Sequence, residues 1–471
     1  MQAKTLLREI GAYCRRTGLT ESGFGLGAAN DAALVKRLRA GTSIPETTVG
    51  RVRTFIAAAN GGPAGAQARP PGPSAPQAAA SRGAHRRAPD PSSARNFRFF
   101  DNRQKYLLFV NTCSEKAVVA QRVALELANL HPRPPALRVF DAGVGDGTVL
   151  AHVLRAMHRR FTHLPFHVVG KEISLEDVRL ALEKMPDRFF EHPALVFVMT
   201  NLPYREAPWL VPDSAAAATS LVWHELALSG SSAHAFEEQI SGLAPFLAEN
   251  WRAGVSPVSG NPVPERPAVL VIYREDHRFL LDPVIPRRGG AQGDYDLVIA
   301  SQPYRARAPV AFKAERVIAP LAKSLGPGGR LLAVHSHGAD PGLEILQGVW
   351  PGEDPFRHDR RTILKATREA LGKYARKLTF SAYSDARSLF RYRMHALPSE
   401  VSASIGTSTL LAAWNAAIYV GQIEDARLDA VISDRRYLDV TRDVLHKHGG
   451  LWFWDESYHR IATPRLREPD A

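Results

Sequence analysis

The stretch LRVFDAGVGDGTVL, residues 137–150, limits the possible folds of this chain more than any other part of it. Its apolar beginning predicts a buried strand, and its end predicts a helix because apolar residues recur from there at helical spacing. Between them stand an acid and three glycines at alternate positions, Asp141, Gly143, Gly145 and Gly147. Glycines in such a turn let a ligand approach the backbone, and the start of the helix presents free N–H groups. The stretch therefore predicts a nucleotide-binding turn of an α/β sheet.

The spacing of these glycines distinguishes between kinds of nucleotide-binding turn. A dinucleotide fingerprint, G-x-G-x-x-G, would require a glycine at position 148, where the chain has Thr148. The pattern acid-x-G-x-G-x-G instead resembles the first motif of class I S-adenosylmethionine-dependent methyltransferases. In that family the loop wraps the methionine part of the cofactor, and a second acid after the next strand holds the ribose hydroxyls. Glu172, at the end of the predicted second strand HVVGKEIS, is the candidate for that acid.

The resemblance implies S-adenosyl-L-methionine as the cofactor and a set of residues that contact it. The implied set is Asp141, Ala142, Gly143, Gly145, Gly147, Glu172, Thr200 and Asn201. Thr200 and Asn201 lie at the end of the predicted third strand, within the segment ALVFVMTNLPY, where the family usually contacts the adenine of the cofactor. A helix near residue 106 helps to cover the cofactor in this family, although a plain core role is the simpler interpretation of Phe99, Phe100 and Tyr106.

A second part of the resemblance lies in the order of elements from residue 294 to residue 338. DYDLVIASQPY predicts a fourth strand, VAFKAERVIAPLAKSL a helix, GPGG a turn and RLLAVHSHG a fifth strand. The family then implies an α/β fold with a doubly wound, mostly parallel seven-stranded sheet. Residues 205–290 become an insertion, with a helix near 235–251 and a hairpin at 268–282. A rival assignment makes SLVWHELAL strand four and AVLVIYRED strand five, but the PGG turn favours the first assignment.

Two strand ends share a Pro-Tyr pair. Asn201-Leu202-Pro203-Tyr204 and Ser301-Gln302-Pro303-Tyr304 each follow an apolar strand. Both resemble the [DNS]-P-P-[YF] motif of methyltransferases that act on amino nitrogens, and the first is similar to the version in ribosomal RNA adenine dimethylases. The second follows strand four, where the family has its catalytic motif. We therefore predict Ser301, Gln302, Pro303 and Tyr304 as catalytic, although Gln302 replaces the first proline of the motif. The histidines at 224, 335 and 337 are interpreted as structural, and no metal site is predicted.

The first 60 residues predict a small all-helical domain. Thr20, Asn30 and Asp31 are candidate helix caps, Gly41 a helix end, and Pro45 a helix start. The order of helices resembles the helix-turn-helix of phage-repressor-type regulators, which would place Lys36, Arg37 and Arg39 on the element that enters a DNA major groove. A docking or dimerising module is the alternative. Residues 61–95, rich in Pro, Ala and Gly and without aromatic residues, predict a flexible, disordered linker.

Composition limits the remaining possibilities. Residues 1–95 carry +9 of the net charge of +13, which favours an anionic partner such as nucleic acid for the N-terminal part. Two cysteines cannot form a disulfide framework or a zinc site. Apolar runs of the length of a membrane span are absent from the sequence, and the charged N-terminus does not resemble a signal peptide. We expect a cytoplasmic protein that does not insert into membranes, and a homodimer is a candidate oligomeric state.

These observations predict four regions and three candidate functions. The regions are a helical domain at 1–60, a linker at 61–95, a methyltransferase domain at 96–400, and an extension at 401–471. Within 340–471, KLTFSAYSDARSLFRYRM predicts an antiparallel strand pair, STLLAAWNAAIYVGQI an apolar helix, and GGLWFWDESYHRIA a hairpin. The first candidate is a methyltransferase whose unknown acceptor is an amino nitrogen of nucleic acid or protein. The alternatives are a DNA-binding regulator with a non-catalytic methyltransferase-like domain, and a small-molecule methyltransferase.

Overall fold

The computed structural model describes residues 2–17, 21, 24, 28–29, 31, 34–40, 46–58, 103–256, 262–395 and 407–462. Contacts between Cα atoms divide the chain into two units, Met1–Arg87 and Ala88–Ala471. Several predictions lie outside the described residues: the linker at 61–95, the helix signals at Thr20, Asn30, Gly41 and Pro45, and the aromatic residues Phe99 and Phe100.

The described part of the first unit consists of helices. These are α1 (Gln2–Thr17), α2 (Leu34–Arg39) and α3 (Glu46–Ala58). Leu6, Ile10 and Tyr13 recur at helical spacing on α1 and are buried. They pack against buried residues of α2 and against Val52 of α3. The helix-turn-helix arrangement itself stays a prediction.

The second unit is built on one mixed, mostly parallel sheet of ten strands. Its strands are β1 (Leu137–Asp141), β2 (Phe166–Lys171), β3 (Leu195–Thr200), β4 (Val222–Leu228), β7 (Ala268–Arg274), β8 (Tyr295–Ser301), β9 (Leu325–Ser336), β10 (Thr379–Ser381), β11 (Leu389–Arg393) and β12 (Trp452–Ala462). The short strands β5 (Ala253–Val255) and β6 (Pro262–Pro264) pair separately.

The sheet runs in the order β10-β12-β9-β8-β1-β2-β3-β7-β4, and β11 also pairs with β12. The prediction of seven strands is therefore wrong, because the insertion adds β7 and β4 beyond β3. The assignment of 295–301 as strand four is confirmed, since β8 pairs parallel with β1 and with β9. The central order β3-β2-β1-β8-β9 is the doubly wound 3-2-1-4-5 order. The direction of winding changes between β1 and β8, and ligands bind outside the carboxyl ends of the strands at such a point.

Helices cover both faces of this sheet. In chain order they are α4 (Arg103–Thr112), α5 (Glu115–Leu127), α6 (Thr148–Arg160), α7 (Leu175–Glu183), α8 (Pro186–Glu191), α9 (Ala215–Ser220), α10 (Ala233–Ser241), α11 (Ala244–Asn250), α12 (Arg278–Leu281), α13 (Val310–Phe312), α14 (Ala319–Lys323), α15 (Pro341–Val349), α16 (Arg360–Leu371), α17 (Asp385–Ser388), α18 (Thr407–Val420), α19 (Asp425–Ile432) and α20 (Arg436–His448). A π-helical segment, Lys313–Ile318, joins α13 to α14. Among the described helices, none is both long and apolar enough to cross a membrane.

Three predicted elements of the insertion and the C-terminal part were wrong in detail. The helix near 235–251 is two helices, α10 and α11. The segment 268–282 is not a hairpin: β7 is followed by a 3-10 turn (Glu275–His277) and α12, because it lacks the Gly or Asn that a tight hairpin turn requires. The segment 449–462 is one strand, β12, since its two glycines precede the strand and nothing within it turns the chain.

The predicted strand pair within 377–394 exists as two strands, but they do not pair with each other. Each pairs antiparallel with β12, which also pairs antiparallel with β9. The predicted apolar helix is α18, and it packs on α4 and α20. The C-terminal part therefore completes the sheet. It also covers the end of the sheet near the turn that contains Gly143, Gly145 and Gly147, called the glycine turn below.

Candidate active site

The glycine turn connects β1 to α6, as the sequence predicts. Gly145 (φ +55°) and Gly147 (φ +80°) adopt left-handed backbone conformations that favour glycine. A Cβ on Gly147 would lie 2.7 Å from the Cα of Ala181, so α7 approaches the turn this closely only because residue 147 has no side chain. The Gly143 N–H donates to Oδ1 of Asp141 at 3.1 Å, which fixes the start of the turn.

Glu172 closes the turn from the end of β2. Its Oε2 accepts the N–H of Gly145 at 2.9 Å, and its Oε1 accepts the N–H groups of Ile173 (2.7 Å) and Ser174 (2.9 Å). Burial raises the pKa of this carboxyl group. A carboxylate offers about four acceptor positions, so these three bonds orient the group and leave it capacity for a ligand hydroxyl.

Asp146 is a third acid of the turn, and the sequence pattern predicts no role for it. It is buried, and its Oδ1 accepts the phenolic O–H of Tyr106 at 3.1 Å. Its carboxylate also accepts the hydroxyl of Thr148 at the start of α6 and lies 3.5 Å from the ammonium of Lys184. Burial opposes ionisation, but these partners and Lys116 lower the pKa of Asp146. Asp146 thus holds the N-terminus of α6 and the ring of Tyr106 in place.

A cavity of about 520 Å³ opens beside this turn at the carboxyl ends of β1, β2 and β8. That volume is within the ordinary range of about 300–1,000 Å³ for cofactor sites. The predicted site residues that line it are Ala142, Gly143, Gly145, Glu172, Ser301, Gln302, Pro303 and Tyr304. The structure therefore brings the predicted catalytic loop and four of the eight predicted cofactor residues to one cavity. Asp141 and Gly147 belong to the same turn.

Thr200 and Asn201 have other partners. The Thr200 hydroxyl donates to the carbonyl of Ala268 at 2.9 Å. The Asn201 side chain accepts the N–H of Ala268 at 2.8 Å and donates to the carbonyl of Arg266 at 2.9 Å. Both side chains thus attach the insertion strand β7 to the end of β3. Their predicted contact with the cofactor stays a prediction.

Gln302 shows why the predicted catalytic motif differs from the [DNS]-P-P-[YF] pattern that it resembles. Its φ is +47°, a conformation that is uncommon for a residue other than glycine. Proline locks φ near −65°, so the first proline of the motif cannot occupy this position with the same backbone. The side chain instead contacts β9 and β12: Nε2 donates to the hydroxyl of Ser336 at 3.2 Å and lies 3.4 Å from the carboxyl of Asp455. Such strained positions cluster at functional sites.

The two Pro-Tyr motifs contact each other. The Tyr204 hydroxyl donates to the carbonyl of Pro303 at 2.9 Å. Tyr304, from the second motif, forms hydrogen bonds with the hydroxyl of Tyr458 and with Nδ1 of His335. His335 Nε2 lies 2.6 Å from Oε1 of Glu456. The second motif is therefore held from one side by the first and from the other by a buried polar network.

Lys116 and Tyr419 also line the cavity, although no sequence motif predicts a role for either residue. The Lys116 ammonium lies 3.2 Å from Oε2 of Glu115 and 5.6 Å from the centre of the Tyr106 ring. Burial disfavours its charge, but Glu115, Tyr419 and Asp146 raise the pKa of Lys116, so the amine is charged. Only the packing of α18 on α4 brings Tyr419 to the turn. No spacing in the sequence could have identified these two residues.

Asp141 predicts a dependence of stability on pH. Burial raises its pKa from the usual 3.8 to about 7. Burial favours the neutral carboxyl group, so Asp141 does not lower the stability of the folded state below pH 4, where it is protonated. As pH rises toward 7 the folded state loses stability, because the buried group resists the ionisation that occurs freely in the unfolded chain. We expect Asp141→Asn, which cannot ionise, to leave stability unchanged near pH 4 and to raise it by about 2–4 kcal/mol at pH 8. Thermal unfolding across this pH range measures the difference. The exposed Asp429→Asn is the control, and an equal shift at both pH values would contradict the assignment.

The predicted DNA-contacting residues lie on α2 of the first unit. Leu34, Val35 and Leu38 of this helix are buried, whereas Lys36, Arg37 and Arg39 are exposed. Arg37 forms an ion pair with Asp31, and Arg39 forms one with Glu21. The three cations therefore share the solvent-facing side of α2, and acids partly neutralise two of them.

Comparisons with known proteins return similarity in solved structures alone. No protein-family model matches the chain, and no curated protein matches it in sequence. The chain is similar to a geranyl diphosphate C-methyltransferase from Streptomyces coelicolor A3(2), with 10% identity over 74% of this chain and 79% of that chain and a TM-score of 0.27. It is similar to phosphoethanolamine N-methyltransferase 2 from Haemonchus contortus, with 10% identity over 74% of this chain and 52% of that chain and a TM-score of 0.23. It is also similar to the rRNA methyltransferase aviRa from Streptomyces viridochromogenes, with 17% identity over 46% of this chain and 72% of that chain and a TM-score of 0.19.

The first two of these proteins were solved with S-adenosyl-L-homocysteine and S-adenosyl-L-methionine, respectively. Their named substrates differ from one another, and the third acts on ribosomal RNA. Identities and TM-scores this low leave the fold and the site to rest on the geometry of this chain.

Proposed function

We propose that the second unit is an S-adenosyl-L-methionine-dependent methyltransferase. The observation that carries the proposal is the bond from the Gly145 N–H to Glu172, which joins the glycine turn and the second acid at the mouth of one cavity. The doubly wound strand order places that cavity where such a sheet binds its ligand. The resemblance of the glycine motif to the first motif of class I methyltransferases and the geometry of the cavity thus support the same function.

The residues present fit this cofactor. Gly145 lines the cavity at a position where a Cβ would lie 3.3 Å from the Tyr106 hydroxyl, so the turn leaves little room for a side chain beside a ligand. Glu172 retains acceptor capacity for the ribose hydroxyls. The charged Lys116 stands beside the turn that wraps the methionine part in the family, so we assign the methionine carboxylate to it.

The chemistry requires little beyond position. When bound, S-adenosyl-L-methionine supplies an electrophilic methyl group on a sulfonium. Holding an acceptor in line with that group is the main task of the protein. Ser301–Tyr304 border the cavity and are held by Tyr204 and by His335, so this loop has a fixed backbone. We propose that it faces the methyl acceptor.

Calorimetry with S-adenosylhomocysteine on the whole chain tests the proposal. We expect one site, and we expect Lys116→Met to weaken binding about tenfold, because a hydrogen-bonded charge contact contributes about 1.5–3 kcal/mol. The same variant should bind 5′-methylthioadenosine, which lacks the carboxylate, as well as the unmodified protein does. The exposed Lys365→Met is the matched control.

Two results would overturn parts of this proposal. Absence of any binding heat with S-adenosylhomocysteine would reject the enzyme and favour the DNA-binding regulator. An equal loss for both ligands in Lys116→Met would reject the carboxylate assignment alone.

We also propose nucleic-acid binding by the first unit, and the exposed cations of α2 support it. The whole chain should bind duplex DNA with an affinity that falls steeply as salt rises. Replacing Lys36, Arg37 and Arg39 by alanine should reduce the salt slope by about three. The control replaces Lys365, Lys373 and Arg376, three exposed cations of the second unit. If both triple variants change the salt dependence of DNA binding equally, α2 does not contact the DNA. A docking module is then the remaining interpretation of the first unit.

A further inference from the structure

A second cavity, of about 610 Å³, adjoins the one beside the glycine turn. Five residues line both cavities: Lys171, Ile173, Tyr204, Pro262 and Phe312. The second cavity continues between the insertion, which supplies Trp209 and Pro262–Pro264, and the helical segment that begins at Val310. An acceptor bound there would meet the methyl group at the shared residues. The inference below rests on the proposed function.

Lys171 is the unusual member of the shared set. Its side chain is buried, with 6% of the residue exposed, at the end of β2. Among the described residues its ammonium has no hydrogen bond or ion pair, and Nζ lies 4.8 Å from the centre of the Tyr204 ring. The neighbouring Glu172 carboxylate is directed at three backbone N–H groups instead. A buried amine without a hydrogen-bond partner is costly, and a polar group bound in the cavity would supply that partner.

The chemistry of the cavity narrows the class of that partner. The rings of Tyr204, Trp209 and Phe312 and the prolines of β6 offer flat apolar surfaces, which fit an aromatic ring. Burial lowers the pKa of Lys171 although Glu172 opposes this, which favours the neutral amine, the form that can accept a proton.

We infer that the second cavity binds the methyl acceptor, an aromatic hydroxyl compound, and that Nζ of Lys171 takes the proton of its hydroxyl group. A carboxylate acceptor fits less well, because it is already ionised and has no proton for the neutral lysine to take. An amine acceptor becomes cationic as it is methylated, and a charged lysine would repel it. A weakly acidic hydroxyl group benefits from both protonation states of the lysine: the neutral amine takes its proton, and the resulting ammonium stabilises the phenolate.

The step balances without a further reagent. The hydroxyl proton passes to the neutral amine of Lys171, which becomes an ammonium paired with the phenolate. The phenolate oxygen forms a bond to the methyl carbon, while the carbon–sulfur bond breaks and leaves its electron pair on sulfur. The lysine returns its proton to water after the ether product leaves.

Absorbance of 4-nitrophenol tests the inference without turnover, because the phenolate and the phenol absorb at different wavelengths. We expect the whole chain, with and without S-adenosylhomocysteine, to bind the probe as phenolate at a pH where the free probe is mostly neutral. Lys171→Met should weaken binding of the phenolate about tenfold and raise the pKa of the bound probe by about one unit. Lys171→Arg keeps a cation there and should keep the bound probe ionised, whereas Lys365→Met should change nothing. Circular dichroism verifies that each variant is folded.

The outcomes separate this inference from the proposed function. A chain that binds S-adenosylhomocysteine but not 4-nitrophenol overturns the inference and leaves the proposed function standing. Equal ionisation of the probe in Lys171→Met, or tighter binding of 4-nitrobenzoate than of 4-nitrophenol, overturns it as well. Lysine-dependent ionisation of the probe in a chain that does not bind S-adenosylhomocysteine keeps the aromatic hydroxyl site and rejects methyl transfer.

Discussion

Gly145→Arg should abolish binding of S-adenosylhomocysteine, with a loss of affinity of at least about 100-fold. Gly145 has a φ of +55°, which strains any side chain, and its Cβ would begin 3.3 Å from the Tyr106 hydroxyl. Because Gly145 lines the cavity, the remaining atoms of an arginine would occupy the space that the ligand needs. A loss of about 100-fold corresponds to about 2.7 kcal/mol. Calorimetry on the folded variant measures it.

A matched control separates the cavity from the backbone strain. Gly449 also has a left-handed conformation (φ +65°), but a Cβ there meets nothing within 4 Å. Gly449→Arg therefore carries the same kind of strain on the surface, at the end of α20, and should bind the ligand normally. If Gly145→Arg binds as well as this control, the cavity beside the glycine turn is not the cofactor site.

The sequence was informative where function depends on short segments. Strand, glycine turn and helix follow from residues that are neighbours in the chain, so the segment 137–150 and the candidate role of Glu172 were predictable. The position of strand four was predictable as well, because the PGG turn fixes which apolar run precedes the fifth strand. In each case the deciding interactions are local.

Long-range packing decided what the sequence could not. The positive φ of Gln302 accompanies contacts with β9 and β12, and β12 is formed by residues about 150 positions later in the chain. Lys171 was counted only as part of a strand, since its lack of a partner is a property of the surrounding fold. The pairing of β12 is of the same kind: β9, β10 and β11 all pair with it, and the sequence of β12 does not identify these partners.

Glu456→Gln should destabilise the second unit by about 3 kcal/mol, because it removes the acid of a buried ion pair and leaves Asp385 as the remaining carboxylate partner of the Arg360 guanidinium. Glu456 is 1% exposed, and its carboxylate accepts from the Arg360 guanidinium at 2.9 Å and contacts His335 Nε2 at 2.6 Å. Burial opposes its ionisation, but His335 and Arg360 lower the pKa of Glu456. Its stabilisation is therefore present above the ordinary pKa of a glutamate and is lost as pH falls through the lowered value. Denaturant unfolding at neutral pH measures the loss.

The control for this effect is an acid of the same type in an exposed ion pair. Glu344 lies 2.5 Å from the Lys447 ammonium, and both side chains are more than a third exposed. Glu344→Gln should therefore change stability by about 0–1 kcal/mol. Because His335 also bonds to Tyr304 at 3.0 Å, Glu456→Gln frees the partner that orients the second Pro-Tyr motif. A destabilisation no larger than that of Glu344→Gln would mean that the buried network does not hold this motif, and that Tyr304 owes its position to Tyr458 and the sheet instead.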